Sequence, residues 1–271
     1  MKCKLLLTLF CFILSKSIFS QELPFINGNY FSFGIAFPIT KFLDKGHSPN
    51  LYKGKGGLAL NFAISNVSKN ILSKFSIDFV LSELSNKNKQ LIYSSNSDFT
   101  NIHLAYQYGF NILQKNSTNL FFGPKINLEF YGNNYFNLKS NNSFSYNNRI
   151  YLDANINGTF RLNDNANYFI RTDHSVSLVN FDTRSKWNTL LPFDGIVPNY
   201  SPKTILKNGR FVTFNKFLNF NHFIDISFRD NTTNNLFSLF HNYQYSYNFN
   251  SPHPLYIDKQ LIGLNAHLIY R

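Results

Sequence analysis

Residues 172–175, Thr-Asp-His-Ser, bring a carboxylate, an imidazole and a hydroxyl within four positions, the side-chain types that nucleophilic hydrolysis uses. Such chemistry needs the hydroxyl within hydrogen-bond reach of its base, with a third group orienting that base. His103 and His267 raise a second possibility, metal ligation, which would require further donors converging on one point. A third set is ionic: Lys74, Asp78, Lys125, Glu129, Arg149, Asp153, Arg161, Arg171 and Asp173 all fall in stretches where polar and apolar residues alternate. Mixed charges of that kind can neutralise one another across a narrow space or line a polar passage. Both outcomes depend on the elements that carry them.

Those elements read as strands. After Gln21 the dominant pattern has period two and recurs about ten times. In 146–162, Tyr146, Ile150, Leu152, Ala154, Ile156, Phe160 and Leu162 alternate with Asn147, Arg149, Asp153, Asn155, Asn157, Thr159 and Arg161. In 99–112, Ile102, Leu104, Tyr106, Tyr108, Phe110 and Ile112 alternate with Asn101, His103, Gln107, Gly109 and Asn111. Similar stretches run near 29–38, 56–66, 71–83, 119–131, 168–180, 210–229, 235–249 and 257–270. Successive side chains on a strand point to opposite faces. Asp173 and Ser175 then share one face while His174 takes the other, so no nucleophile–base pair can form and no catalytic residue is expected. His103 and His267 fall on the polar face of the fourth and tenth strands, which are not neighbours in sequence. Without clustered carboxylates they predict structural hydrogen bonds, not a metal centre.

Composition narrows the field further. The chain of 271 residues holds 31 Phe and 16 Tyr, together with about 40 Asn, far above ordinary usage. Aromatic side chains suit a pleated surface, while Asn and Ser suit turns and wetted faces. Lys2 and Lys4 precede a short apolar run, Leu5–Leu14, and small residues lead to Ser20 and Gln21. That is the pattern of a cleavable secretory signal over 1–20, with 21–271 as the exported domain. Both cysteines, Cys3 and Cys11, lie inside it, so the remainder has no thiol for disulfides, metal ligation or nucleophilic attack. No cofactor is expected. Loss of Lys2, Lys4 and Lys16 lowers the net charge from +12 to +9, spread along the chain. No later segment is apolar enough for a membrane helix, so residence in a bilayer would require a closed barrel of strands.

The connections carry the same message. Gaps between strands alternate between long (39–55, 84–98, 132–145, 181–209, 250–256) and short (Asn66–Asn70, Leu113–Thr118, Asn163–Asn167, Asp230–Asn234). An up-and-down barrel with long outer loops and tight periplasmic turns has this rhythm. By strand parity Tyr106, Tyr108, Phe110, Phe122, Phe160, Tyr168, Phe228, Phe237 and Tyr270 all join the apolar face near a short turn or the C-terminus. That places them as an interfacial girdle. One passage resists: within 210–229 the even face is interrupted by Lys216 and His222, which predicts a bulge near Asn219–Asn221 or a division into two strands.

Taken together, the chain resembles the outer-membrane β-barrel proteins of Gram-negative bacteria, with a composition and a Phe19-Ser20-Gln21 context similar to Bacteroidota members. The final strand, Leu261–Tyr270, is similar to the C-terminal signal such proteins present for assembly, although here Arg271 follows the aromatic. The resemblance implies an all-β, up-and-down antiparallel transmembrane barrel of about ten strands (eight to twelve). It also implies outer-membrane residence and contact with outer-membrane lipid and lipopolysaccharide. It matches no subfamily motif, and the oligomeric state stays open.

The expected role is non-enzymatic, structural or binding, with Lys125, Glu129, Arg149, Asp153, Arg161, Arg171 and Asp173 facing the lumen. A plug of paired charges is preferred to a narrow pore for small polar solutes, because both signs are mixed. Barrel hydrolases acting on lipid or peptide form one alternative, although the His-x-Ser-Asn arrangement of the lipid A deacylases is absent. A secreted, soluble β-sandwich that binds glycans forms another. Basic positions in the predicted loops, among them Lys41, Lys45, Lys53, Lys87, Lys89, Arg184, Lys186, Lys203, Lys207 and Arg210, suggest anionic glycan or protein partners. Loop 181–209 is the first candidate for such contact. Nucleic acid is not expected, because the aromatics lie on strands and not among the basic loop residues.

Overall fold

A computed structural model describes residues 28–45, 51–86, 96–115, 117–136, 143–162, 167–184, 209–214, 216–230, 232–233, 235–249 and 254–270. The expected signal at 1–20 and most of loop 181–209 lie outside them. The described chain forms twelve antiparallel strands: β1 (Gly28–Asp44), β2 (Tyr52–Lys55), β3 (Leu58–Val67), β4 (Ile71–Ser85), β5 (Asn96–Lys115) and β6 (Thr118–Phe136), followed by β7 (Ser143–Arg161), β8 (Tyr168–Arg184), β9 (Arg210–Thr213), β10 (Phe217–Arg229), β11 (Leu236–Asn248) and β12 (Leu255–Tyr270). Apart from β2 and β3, and β9 and β10, neighbours in sequence pair in the sheet, and β1 pairs with β12 from Asn29↔Tyr270 to Asp44↔Leu255. The sheet therefore closes on itself, and the alternative of a two-sheet sandwich is set aside.

Twelve strands make ten staves. β2 and β3 both pair with β1 and form one stave, interrupted at Gly56-Gly57. Gly57 has φ +118°, and a Cβ there would meet the Leu81 carbonyl oxygen at 2.0 Å, so only glycine fits the interruption. β9 and β10 likewise share one stave along β8. Val179 pairs with Thr213 and Val176 with Phe220, so four more residues are inserted on that stave than on β8. The division falls at 214–216, with the Lys216 amide bonded to the Thr213 carbonyl (2.9 Å). Lys216 thus leaves the strand, and the bulge expected at Asn219–Asn221 is replaced by this division a few residues earlier.

Burial is inverted relative to a soluble protein. Arg149, Glu129, Asn101 and Ser246 are fully buried, whereas Ile126 is 55% and Leu264 61% exposed. Outward faces are apolar over long stretches, as in Phe31, Phe33, Ile35 and Phe37 of β1, or Phe122, Ile126 and Leu128 of β6. Those rows match the apolar band a membrane barrel shows to lipid. Tyr106, Phe110, Phe122, Tyr168, Phe228, Phe237 and Tyr270 stand exposed at the short-turn level. A second aromatic group, Tyr243, Tyr245, Tyr247 and Tyr256, marks the long-loop level on β11 and β12, with Tyr245 and Tyr256 packed edge to face at 5.6 Å. Beside it Lys41 pairs with Asp258 at 2.7 Å.

Most strands extend beyond their alternating apolar stretches. β5 and β6 run 20 and 19 residues, about twice the ~9–11 needed to cross a bilayer. Segments expected to be loop, including 39–44 with Lys41 and 52–55 with Lys53, are paired strand instead. There the outward face is no longer uniformly apolar, but backbone pairing continues. At the opposite end the turns are tight. In the β10–β11 turn the Asp230 carboxylate accepts the amides of Thr232 (3.1 Å) and Thr233 (3.3 Å) and the Thr233 hydroxyl (2.6 Å). These bonds hold its carboxyl below the usual aspartate range.

Pro124 sits inside a central stave, where a residue without an N–H is ordinarily excluded. Regular pairing of β5 with β6 accordingly lapses between Gln107↔Lys125 and Phe110↔Phe122. The adjacent Gly123 lets the backbones close in, since a Cβ there would lie 2.0 Å from the Tyr108 carbonyl oxygen and 2.9 Å from Gly109 Cα. Gly123→Ala is therefore expected to cost about 1–3 kcal/mol. Urea unfolding of the protein in detergent micelles checks this, and an unchanged midpoint would contradict the close approach.

Candidate functional site

The lumen is filled in three levels. Nearest the long loops, Phe42, Tyr52, Leu84, Phe99, Tyr131, Leu255 and Ile257 form a buried apolar cluster that points inward. Sequence parity assigns grease to the outer face, so this inward cluster is a departure from expectation. Its members lie near strand ends next to the long loops, in stretches read from sequence mostly as connections. There the side chains inside the ring are screened from water, and burial favours apolar ones.

The middle level is ionic and crosses the barrel. Glu129 of β6 accepts from Gln244 Nε2 of β11 (2.9 and 3.2 Å), Asn101 Nδ2 of β5 (3.2 Å) and the Tyr151 hydroxyl of β7 (3.3 Å). Lys259 of β12 lies 3.8 Å from Glu129 and donates to Asn101 Oδ1. Because β11 and β12 stand across the ring from β5 and β6, these bonds span the lumen. Arg149 of β7 does the same, donating to Ser246 Oγ of β11 at 2.6 Å and lying 3.8 Å from Asp182 of β8. Its guanidinium is held between the rings of Tyr131 (5.1 Å) and Phe217 (5.2 Å).

Toward the short turns lies a cavity of about 140 Å³. Lys74 of β4, Lys125 of β6 and Arg171 of β8 reach it, as do Asp78, Asp173, Asp225, His103 and His267. Arg171 and Asp225 form a two-point pair, with Nε to Oδ1 at 3.0 Å and Nη2 to Oδ2. Asp153 sits apart, taking the hydroxyls of Ser175 (2.9 Å) and Ser177 (2.5 Å) and the Asn127 amide (3.1 Å).

Of the seven charged residues singled out from sequence, the structure buries Lys125, Glu129, Arg149, Asp153 and Asp173 inside the ring. Arg171 is partly exposed to the cavity, and Arg161 sits half-buried at the short-turn end of β7. They do not form one site: Glu129 and Arg149 belong to the crossing level, while Lys125, Arg171 and Asp173 face the cavity. Sequence reading missed Lys259, Gln244 and Asp182, which complete the crossing level. Strand parity alone could have flagged Lys259 as the single charge among the apolar Leu255, Ile257 and Leu261 on its face.

The catalytic and metal possibilities can now be weighed on geometry. Asp173 and Ser175 are buried inside, whereas His174 points outward and meets His222 of β10, Nδ1 to Nδ1 at 2.7 Å. The acid, base and hydroxyl of 173–175 are thus split between two faces. His103 bonds Asp78 (3.2 Å) and Asn127 (3.0 Å), and His267 bonds Ser32 (2.6 Å). Among the described residues no group of three or more His, Cys, Asp or Glu is placed to hold a metal ion.

No family model matches the sequence, and no curated protein matches it. Among solved structures, the chain is similar to the outer membrane protease OmpT from Escherichia coli, with TM-score 0.55 at 8% identity over 92% of this chain and 99% of that one. This likeness establishes a shared fold, the closed up-and-down antiparallel β-barrel. Weaker likenesses are the translocator domain of autotransporter NalP from Neisseria meningitidis (TM-score 0.42, 10% identity, 100% of this chain and 95% of that one) and Neisserial surface protein A (TM-score 0.35, 9% identity, 90% and 97%). Neither is close enough to carry an argument.

Proposed function

We propose that this chain is a closed barrel of a Gram-negative outer membrane, exported by its N-terminal signal, with a structural or binding role and no catalytic step. The observation that carries the proposal is the crossing level: Glu129, Lys259 and Gln244 link opposite walls and are all buried, Glu129 completely. An ion passing through would have to break several buried charge-assisted bonds, each strong in a medium of low dielectric. Partners then meet the barrel at its ends or its outer wall. Lipopolysaccharide phosphates, an anionic glycan or a protein docking on the long loops fit the basic residues there.

Planar bilayer recording tests the closed reading. The purified barrel is expected to insert without steady conductance, while reproducible unitary steps at low voltage would overturn it. Fractionation of expressing cells supplies the second arm. The protein should require detergent for release from envelopes, and recovery in a detergent-free soluble fraction would contradict membrane residence.

A further inference from the structure

The cavity in the short-turn half is lined by charges that are not all spent on one another. Lys74 and Lys125 lie 3.9 and 3.8 Å from the two oxygens of Asp173, beyond hydrogen-bond length. Neither ammonium donates a hydrogen bond to a described residue, although the Lys125 side chain is only 8% exposed. Asp173 is itself occupied by the Asn155 amide. The remaining carboxylates are engaged elsewhere. Asp225 is held at two points by Arg171, and Asp78 accepts from His103 Nδ1 (3.2 Å) and the Asn61 amide. Formal charges on the lining cancel, three cations against three carboxylates, but locally two ammonium groups share a single carboxylate.

We propose that this half of the lumen binds a small organic carboxylate, its anionic group taken by Lys74 and Lys125. Two ammonium groups held beside one carboxylate without a hydrogen bond are costly without a further acceptor, and the donors of both lysines line the cavity. The walls favour an organic anion over an inorganic one, because Phe121, Phe223, Phe240 and Leu236 line the same space. Phe223 already receives Lys74 on its ring face at 5.6 Å. The volume admits several waters or one small organic molecule.

The test uses the full barrel refolded in detergent micelles, with benzoate and inorganic phosphate as probes in titration calorimetry. Benzoate is expected to bind with one-to-one stoichiometry and phosphate at least tenfold more weakly. Lys74→Met and Lys125→Met should each weaken benzoate binding at least tenfold. Asp173→Asn removes the competing carboxylate and should tighten it, so the two kinds of variant move in opposite directions. A change in gel migration between unheated and heated samples verifies that each variant is folded. Should a lysine variant not fold, the Asp173→Asn comparison decides alone. Absence of benzoate binding, or binding indifferent to these substitutions, would overturn the site. Equal affinity for phosphate would overturn the assignment to an organic carboxylate.

Discussion

Glu129→Met is expected to destabilise the barrel by about 3–5 kcal/mol, the cost typical of removing one partner from a buried ion pair. Glu129 is fully buried and collects four interactions, from Asn101 and Tyr151 on the two adjacent strands and from Gln244 and Lys259 across the ring. Its loss leaves the Lys259 ammonium, only 3% exposed, hydrogen-bonded to Asn101 alone, and leaves Gln244 and Tyr151 with only long 3.4 Å contacts to Tyr131 and His103. Unpaired buried polar groups cost about 1–3 kcal/mol each, so the penalty lies mostly in what remains and not in the bond removed. That reasoning makes a second demand. Glu129→Met combined with Lys259→Met should be less damaging than the single change, because the stranded charge is gone. Urea unfolding of the barrel in lipid vesicles measures both. A single-variant cost below about 1 kcal/mol, or a double variant worse than the sum, would contradict the crossing network as drawn.

The second large effect belongs to the outer wall. Ile126 is 55% exposed at the centre of the apolar row Phe122, Pro124, Ile126, Leu128 and Phe130 on β6. If that row faces hydrocarbon, Ile126→Arg costs about 2–4 kcal/mol, as measured for arginine near a bilayer midplane. On a sheet face bathed in water the same change would be close to neutral, within about 0.5 kcal/mol. Folding efficiency into vesicles, followed by resistance to denaturant, separates the two cases. Arginine placed at Tyr247, in the long-loop aromatic group, should cost far less, because the penalty falls toward the interface. Equal tolerance at both positions would remove the grounds for placing the apolar band in a membrane.

Several features were legible from residue order because they are local. Period-two alternation marked all ten staves, since side-chain direction on a strand depends on nothing beyond the next residue. The short-turn aromatics were likewise visible, because each lies a few residues from a turn that composition betrays. Strand ends were less legible. Residues 39–44 and 132–136 read as connection, yet they are paired in β1 and β6, where the outward apolar alternation stops but hydrogen bonding does not. The interruption at Lys216 and His222 was visible as a fault in a pattern. Only the structure shows two remedies: Lys216 leaves the strand, and His222 stays outward with His174 as its partner.

Sequence alone determined that strands alternate, that one face is greasy, that charges of both signs occupy the other, and that no thiol chemistry is available after residue 20. Tertiary structure decided which charges meet. Glu129 finds Lys259 and Gln244, and Lys74 finds Lys125 through Asp173, because ring closure sets the stagger between distant staves, and stagger is a property of the whole sheet. The same closure made an apolar cluster point inward at the long-loop end and left a charged cavity at the other. Neither could be read from a single strand, because whether a face is inside or outside is defined only once the ring is complete.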